Sequence, residues 1–107
     1  MAQTKRSNGE DRYAKKIRAA LEVYREEHPQ AVVDAKRQNP ACVRVRVIDP
    51  SFKGMDRVDR DTLIRTYLSA LPGDVQSEIS MIVLVTPEET KSSLANLEFE
   101  QPSRSKF

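Results

Sequence analysis

The chain has 107 residues, of which 38% are hydrophobic and 32% are charged, with a formal net charge of +2 at pH 7. This length fits one domain with a single core, and the composition excludes a collagen-like, repeat or membrane-embedded chain. The small net charge does not by itself indicate nucleic-acid binding, because that affinity requires several Lys and Arg side chains that face phosphates together.

The sequence carries no apolar targeting or membrane segment. Residues Met1 to Arg6 lack the apolar stretch of a signal peptide, and the longest apolar run, Met81 to Val85, is far too short to span a bilayer. The single cysteine, Cys42, cannot form an internal disulfide, which agrees with a reducing compartment. We therefore expect a cytoplasmic protein with no membrane partner.

The first predicted element is an amphipathic helix. Residues 1–9 are polar and without period, so we predict a flexible arm there. From Glu10 to His28, apolar residues recur three and four positions apart, at Tyr13, Ile17, Ala20, Leu21 and Tyr24. Pro29 disfavours helical geometry at His28 and ends the helix. We interpret His28 as a solvated residue of the last turn rather than a catalytic base or metal ligand.

Three strands follow from the apolar patterns. The run Ala31–Ala35 predicts a first strand, with residues 36–40 as a hairpin loop. The second strand, Val43–Ile48, alternates apolar and basic residues, so its valines face a core while Arg44 and Arg46 point away from it. Residues Ile79–Val85 predict a third strand that is apolar on both faces, and we place it near the middle of the sheet.

A central helix is expected between the second and third strands. Gly54 supplies a flexible turn, and Asp56 is positioned to cap a helix that ends at Pro72–Gly73. Asp74 then caps a single turn. The apolar face of the central helix carries Leu68, the strongest core candidate, together with Val58, Ile64, Tyr67 and Leu71.

The end of the chain has little core-forming sequence. Thr86-Pro87-Glu88-Glu89 predicts a short final helix, since proline and acidic residues suit a first turn. Residues 90–107 have few and irregularly spaced apolar side chains, which predicts a mostly disordered tail. We therefore place one folded domain over residues 10–89.

No catalytic motif is present. The chain has no glycine-rich phosphate loop, no cysteine pair with zinc spacing and no His-Glu-x-x-His helix. Asp59 and Asp61 point in different directions on a helix. Cys42 and His28 are a weak candidate for a catalytic nucleophile with its general base. We therefore expect a protein that is not an enzyme.

Three motifs at a consistent spacing indicate a family. They are the turn Phe52-Lys53-Gly54-Met55, the helix start Arg57-Val58-Asp59-Arg60, and Thr86-Pro87-Glu88-Glu89 after the last strand. With these motifs the chain resembles the BolA family from about Tyr13 to Glu89. The resemblance implies an α+β, KH-like (type II) fold of order α-β-β-α-α-β, with a three-stranded mixed sheet packed on helices.

The resemblance also implies partners and a cofactor. BolA-like proteins are known as small non-enzymatic accessories that pair with monothiol glutaredoxins and share a bridging [2Fe-2S] cluster; some are DNA-binding regulators, also in stress responses. The family's histidine before the last strand falls on Glu78, and the histidine of the central helix falls on Asp61. Cys42 lies where members carry a Cys or His that helps to hold the cluster. Cys42 and Glu78 are thus the candidate metal positions, although thiolate and imidazole suit such clusters better than a carboxylate.

The sequence is consistent with two functions of different classes. In the first, the domain docks a glutaredoxin through the helix start and the last strand in iron-sulfur trafficking, and a variant of this function retains only a protein-protein role because the histidines are missing. In the second, the KH-like scaffold binds nucleic acid (DNA) as a transcriptional regulator, although it lacks the Gly-x-x-Gly loop of true KH domains. The phosphate contacts would then come from Lys53, Arg57, Arg60, Arg65, Arg44 and Arg46.

Overall fold

The computed structural model describes residues 11–40 and 42–101. In chain order these form α1 (Arg12–Glu27), β1 (Val32–Asn39), β2 (Cys42–Ile48), α2 (Arg57–Leu68), α3 (Gly73–Gln76), β3 (Ile79–Val85) and α4 (Leu94–Glu100). Short 3-10 helices, Pro50–Phe52 and Glu88–Lys91, precede α2 and α4. The predicted α+β order α-β-β-α-α-β is confirmed, with α4 as an addition. Within the described ranges, none of the helices is long and apolar enough to cross a membrane.

The sheet has three strands in the order β1-β2-β3. β1 and β2 are antiparallel, with Val32 opposite Ile48, and β2 and β3 are parallel, with Ile48 opposite Val85. β2 is therefore the central strand, and the prediction that β3 lies in the middle of the sheet is wrong. β3 is apolar on both faces because Ile82 packs into the main core while Val83 lies in a second cluster beneath α4.

The hairpin between β1 and β2 is tighter than predicted. β1 continues to Asn39, so most of residues 36–40 belongs to the strand rather than to a loop. Lys36 lies opposite Arg44 in the ladder, and Arg37 lies opposite Val43. The backbone pairing with β2 extends the strand although these residues are polar.

The main core lies between α1, α2 and the inner face of the sheet. Leu68 is only 3% exposed, which confirms it as a core residue. Val58, by contrast, is 70% exposed. Its prediction as part of the apolar core face is wrong because the first turn of α2 lies beside an open groove rather than over the core. The buried core residues are Ala14, Ile17, Leu21, Tyr24, Ala31, Ala35, Val43, Val45, Val47, Phe52, Ile64, Leu68 and Val75.

Local capping sets the ends of the helices. Asp11 begins α1 by accepting hydrogen bonds from the amides of Tyr13 and Ala14, at 2.9 and 3.0 Å. Asp56 caps α2, as predicted, by accepting from the Asp59 amide at 2.8 Å. Gly54 has a φ of +84°, in the left-handed region that favours glycine, and lets the chain turn into α2.

The end of α1 is more ordered than the sequence indicated. The His28 ring is half-buried and stacks on the Tyr24 ring, with 4.0 Å between centroids and 13° between planes. His28 is therefore a packed aromatic residue rather than a fully solvated one. The predicted flexible arm, residues 1–9, lies outside the described residues.

The chain beyond residue 89 departs from the predicted tail. Residues 94–100 form α4, which Ser93 caps by accepting from the Asn96 amide at 3.1 Å. Phe99 is only 1% exposed, on the outer face of the sheet. A helix of this length is not stable alone, so its contacts with the sheet hold it. The prediction of a mostly disordered tail therefore does not hold for residues 90–101; residues 102–107 lie outside the described residues.

Candidate functional site

The structure brings the two candidate metal positions to the same end of the sheet. Cys42 begins β2, and Glu78 immediately precedes β3. The amide of Val43 donates to the carbonyl oxygen of Glu78 at 2.7 Å, and Val43 lies opposite Ile79 in the parallel ladder. The resemblance thus identified two positions that are neighbours in the fold.

Glu78 belongs to an ion-pair cluster centred on Arg37. The Arg37 guanidinium donates from Nη1 to Glu78 Oε1 at 2.8 Å and from Nε to Asp11 Oδ2 at 2.8 Å. Nη1 also donates to the carbonyl oxygen of Pro40 at 3.1 Å. The hydrogen bond from Arg37 is the main reason that the pKa of Asp11 lies below its ordinary value. The Glu78 side chain therefore joins the hairpin to the turn before β3.

The donor set at this end does not fit the [2Fe-2S] cluster that the resemblance implies. Such clusters take thiolate and imidazole ligands, whereas Glu78 presents a hard carboxylate that is already paired with Arg37. His28 is at the far end of β2, since Val32, a few residues after it, lies opposite Ile48. That separates it from Cys42 by roughly 20 Å at about 3.3 Å per residue. Among the residues that the structure describes, no group of three or more potential ligands is placed to hold a metal ion.

Two of the six predicted phosphate contacts lie beneath α4. Arg46 donates to Asp34 Oδ2 at 2.9 Å, to Glu100 Oε2 at 2.8 Å and to Asn96 Oδ1 at 2.9 Å. Arg44 donates to the carbonyl oxygen of Glu98 at 3.1 Å. Both arginines do point away from the main core, as the alternation predicted, but they hold α4 rather than face solvent.

The basic residues around α2 have different surroundings. Arg60 donates to Glu89 Oε1 at 2.7 Å and to the carbonyl oxygens of Met55 and Leu84, each at 3.0 Å. This ion pair is the main reason that the pKa of Glu89 lies below its ordinary value.

The other three basic residues of this region are exposed. Arg65 is paired with Asp61 one turn earlier, at 2.8 Å. Lys53 and Arg57 remain exposed at the turn and at the helix start. The six predicted basic residues therefore do not form one accessible patch.

A groove joins the two elements that were expected to dock a protein partner. The start of α2 and the edge strand β3 line an open depression of about 830 Å³, with the start of α4 on a further side. Val58 projects from α2, and Leu94 on α4 is 81% exposed. Ile82 to Val85 of β3 line it as well. The groove is thus bordered by exposed apolar side chains and by the edge strand of the sheet.

Several residues that shape these surfaces were not identified from the sequence. The sequence predicts a hairpin loop at Arg37 and a tail at Asn96 and Phe99. The Ser93-Leu94-Ala95-Asn96 spacing, with a cap residue three positions before a side-chain amide, was the one signal for α4. No local pattern indicated that Arg37 pairs with Glu78, because the two residues are distant in sequence.

These features define a small α+β domain in which a mixed sheet carries helices on both faces. Among solved structures, the chain is similar to BolA1 from Arabidopsis thaliana, with 20% identity and a TM-score of 0.51, covering 76% of this chain and 98% of that one. It is also similar to the BolA domain of SufE1 from Arabidopsis thaliana, with 20% identity and a TM-score of 0.52, covering 76% and 99%. Comparisons with protein-family models and with curated proteins found no match.

The likeness to these two structures confirms the expected fold: the chain has the BolA fold. Both neighbours are covered almost completely, whereas about a quarter of this chain has no counterpart in them. The chain therefore contains the whole fold plus additional sequence.

Proposed function

We propose that this chain is a divergent member of the BolA family, a non-enzymatic accessory protein that binds a monothiol glutaredoxin in iron-sulfur cluster trafficking without supplying cluster ligands itself. The groove between α2 and β3 carries this proposal. It places the helix start and the last strand, the two elements expected to dock the partner, around one accessible surface. Exposed apolar side chains at such a surface are typical of a protein-protein contact.

The ion pair of Glu78 with Arg37 supports the proposal that this chain supplies no cluster ligands. A carboxylate held by Arg37 at 2.8 Å stabilises the fold and is a poor ligand for a cluster. Cys42 then remains as a single soft donor, which is insufficient for a site of its own. The partner would therefore supply the metal chemistry, and this chain would supply the docking surface.

Co-expression with a monothiol glutaredoxin from the same organism tests the proposal. Size-exclusion chromatography is expected to give a heterodimer, and Val58→Asp is expected to weaken it at least tenfold by placing a charge in the groove. Val23→Asp is the matched control, since Val23 is also exposed (51%) but lies on α1, away from the groove. Two separate peaks for the unaltered proteins would contradict glutaredoxin binding.

The absence of cluster ligation has its own test. Visible absorption of the co-expressed complex is expected to be the same with Cys42→Ser and with Glu78→Gln as with the unaltered chain. Loss of that absorption in Cys42→Ser, with the heterodimer intact, would show that this chain does ligate the cluster.

The DNA-binding alternative has less support from the geometry. Arg44, Arg46 and Arg60 all make ion pairs with carboxylates within the chain, so their charge is not free for phosphates. A mobility shift of duplex DNA that weakens with salt and is lost in Arg57→Ala would favour the alternative over the proposal.

A further inference from the structure

The outer face of the sheet, opposite α1 and α2, forms a surface that is both basic and apolar. We define this outer sheet surface by the basic residues Lys36, Arg44 and Arg46 and the apolar residues Ile48, Met81, Val83 and Val85. α4 covers it, with Asn96 and Phe99 fully buried against the strands. The contacts of α4 therefore show which chemistry this surface accepts.

An aromatic ring occupies the centre of the outer sheet surface. The Phe99 ring packs with Val83 and Val85. The ammonium of Lys36 lies 4.9 Å and the guanidinium carbon of Arg46 lies 4.6 Å from the ring centroid. Cations at these distances are attracted by the electrons of the ring face. The surface is thus suited to an aromatic side chain that contacts two cations.

The residues on either side of Phe99 are acidic. Glu100 accepts from Arg46 Nη1 at 2.8 Å, and a carboxylate oxygen of Glu98 lies 3.7 Å from Arg44 Nη1. The same Arg46 nitrogen also donates to the side-chain oxygen of Asn96 at 2.9 Å. α4 therefore presents to this surface a short acidic helix with an aromatic residue flanked by carboxylates.

The contact between α4 and the outer sheet surface is weak and leaves one buried donor unsatisfied. α4 has seven residues, too few for a stable isolated helix, and the Glu98 and Glu100 side chains are partly exposed, which weakens their ion pairs. Within the described residues, the Nε–H group of Arg44 is buried without an acceptor. Because buried donors are normally satisfied, a ligand with an acceptor at this point would fit better than α4.

We propose that the outer sheet surface is a docking site for an acidic helical segment of a partner protein, and that α4 occupies the site in the same chain and competes with that segment. This surface shares Val83 and Val85 with the groove beside β3, and α4 borders both. The proposal concerns binding to the strands beneath α4, and its test uses no glutaredoxin, so it does not depend on glutaredoxin binding. A short connection from β3 to α4 keeps α4 at a high local concentration. Only molecules in which α4 is undocked can bind a free segment. The apparent affinity of the intact chain is therefore lowered in proportion to the undocked fraction.

A peptide with the sequence of residues 93–101 is the probe. NMR titration of the isotope-labelled full-length chain compares the unaltered protein with Phe99→Ala, which removes the buried ring of α4. We expect Phe99→Ala to bind the peptide about tenfold more tightly, with shifts at β2 and β3. Leu97→Ala is the matched control, because Leu97 lies on α4 but is exposed, and it is expected to retain the affinity of the unaltered chain.

Further variants test whether the peptide binds at the outer sheet surface. Adding Arg46→Ala to Phe99→Ala is expected to abolish the gain. If Phe99→Ala does not fold, Asn96→Ala, which removes the amide contact with Arg46, is expected to give a smaller gain at the same residues. A folded opening variant that binds the peptide no better than the unaltered chain would overturn the proposal. So would peptide binding that is unaffected by Arg46→Ala, or a preference of the opened chain for duplex DNA over the peptide.

Discussion

The guanidinium of Arg37 and the carboxylate of Glu78 lie 2.8 Å apart and join the end of β1 to the turn before β3. In the BolA resemblance, Glu78 stands where the family has a histidine. The same guanidinium also binds Asp11, the cap of α1. A position expected to bind metal has thus become part of a contact between three segments of the chain.

This cluster predicts that the loss of Arg37 destabilises the fold more than the loss of the Glu78 charge. Arg37→Ala should lower the free energy of unfolding by about 1–2 kcal/mol, because it removes the hydrogen bonds that the guanidinium donates to Asp11, Glu78 and the Pro40 carbonyl oxygen. Glu78→Gln should cost less than about 1 kcal/mol, since it removes one partly exposed ion pair. Urea unfolding measures both, and equal losses would contradict the central place of Arg37.

The core predicts a large effect at Leu68. Leu68→Ala should lower the free energy of unfolding by about 2–5 kcal/mol, because it removes buried apolar surface and leaves a cavity. Leu94→Ala makes the same chemical change at an exposed position and should cost less than about 0.5 kcal/mol. Urea unfolding of the pair checks the assignment, and similar losses would place Leu68 outside the core.

Tyr24 predicts a loss of stability in alkali. Its hydroxyl donates to the buried carboxylate of Asp49, and burial followed by this hydrogen bond raises the pKa of Tyr24. A tyrosine in the unfolded chain ionises near its ordinary value of 10.0, while folded Tyr24 stays neutral. Stability from this group is therefore complete below pH 10 and is lost as the pH rises towards the folded pKa.

Tyr24→Phe tests this assignment. It should cost about 1–3 kcal/mol at neutral pH, because buried Asp49 keeps the hydrogen bond from the Ser51 amide but loses the one from Tyr24, and should remove part of the alkaline dependence. Tyr67→Phe is the control, since Tyr67 donates to the exposed Glu27, and a smaller loss at neutral pH is expected. Thermal unfolding at neutral and alkaline pH measures both, and an unchanged alkaline dependence in Tyr24→Phe would assign that dependence elsewhere.

The Arg60 and Glu89 pair predicts part of the acid sensitivity. Because Arg60 lowers the pKa of Glu89 below its ordinary value of 4.5, this pair stabilises the fold above that pH. The contribution is lost as the pH falls through the folded pKa. Glu89→Gln should therefore reduce stability at neutral pH and weaken its decline in acid. Thermal unfolding from neutral to acidic pH measures the change, with Glu88→Gln as the control at an exposed position; identical profiles for the two variants would contradict the assignment.

The sequence by itself determined the order and type of the main elements. The alternation in β2, the apolar stripe of α1, and the Gly54 turn with the Asp56 cap follow from local periodicity and backbone chemistry, and the structure confirms all of them. The three motifs around α2 and β3 were also sufficient to identify the BolA fold, although overall identity to the two solved structures is 20%.

Only the tertiary structure decided what the polar residues do. Arg37 meets Glu78 across 41 positions, and Arg46 meets Glu100 across 54. Neither pairing leaves a local pattern, because an ion pair depends on where two segments meet rather than on spacing along the chain. For the same reason the sequence does not specify the order of the strands or the burial of Phe99. Both depend on which segments pack against each face of the sheet.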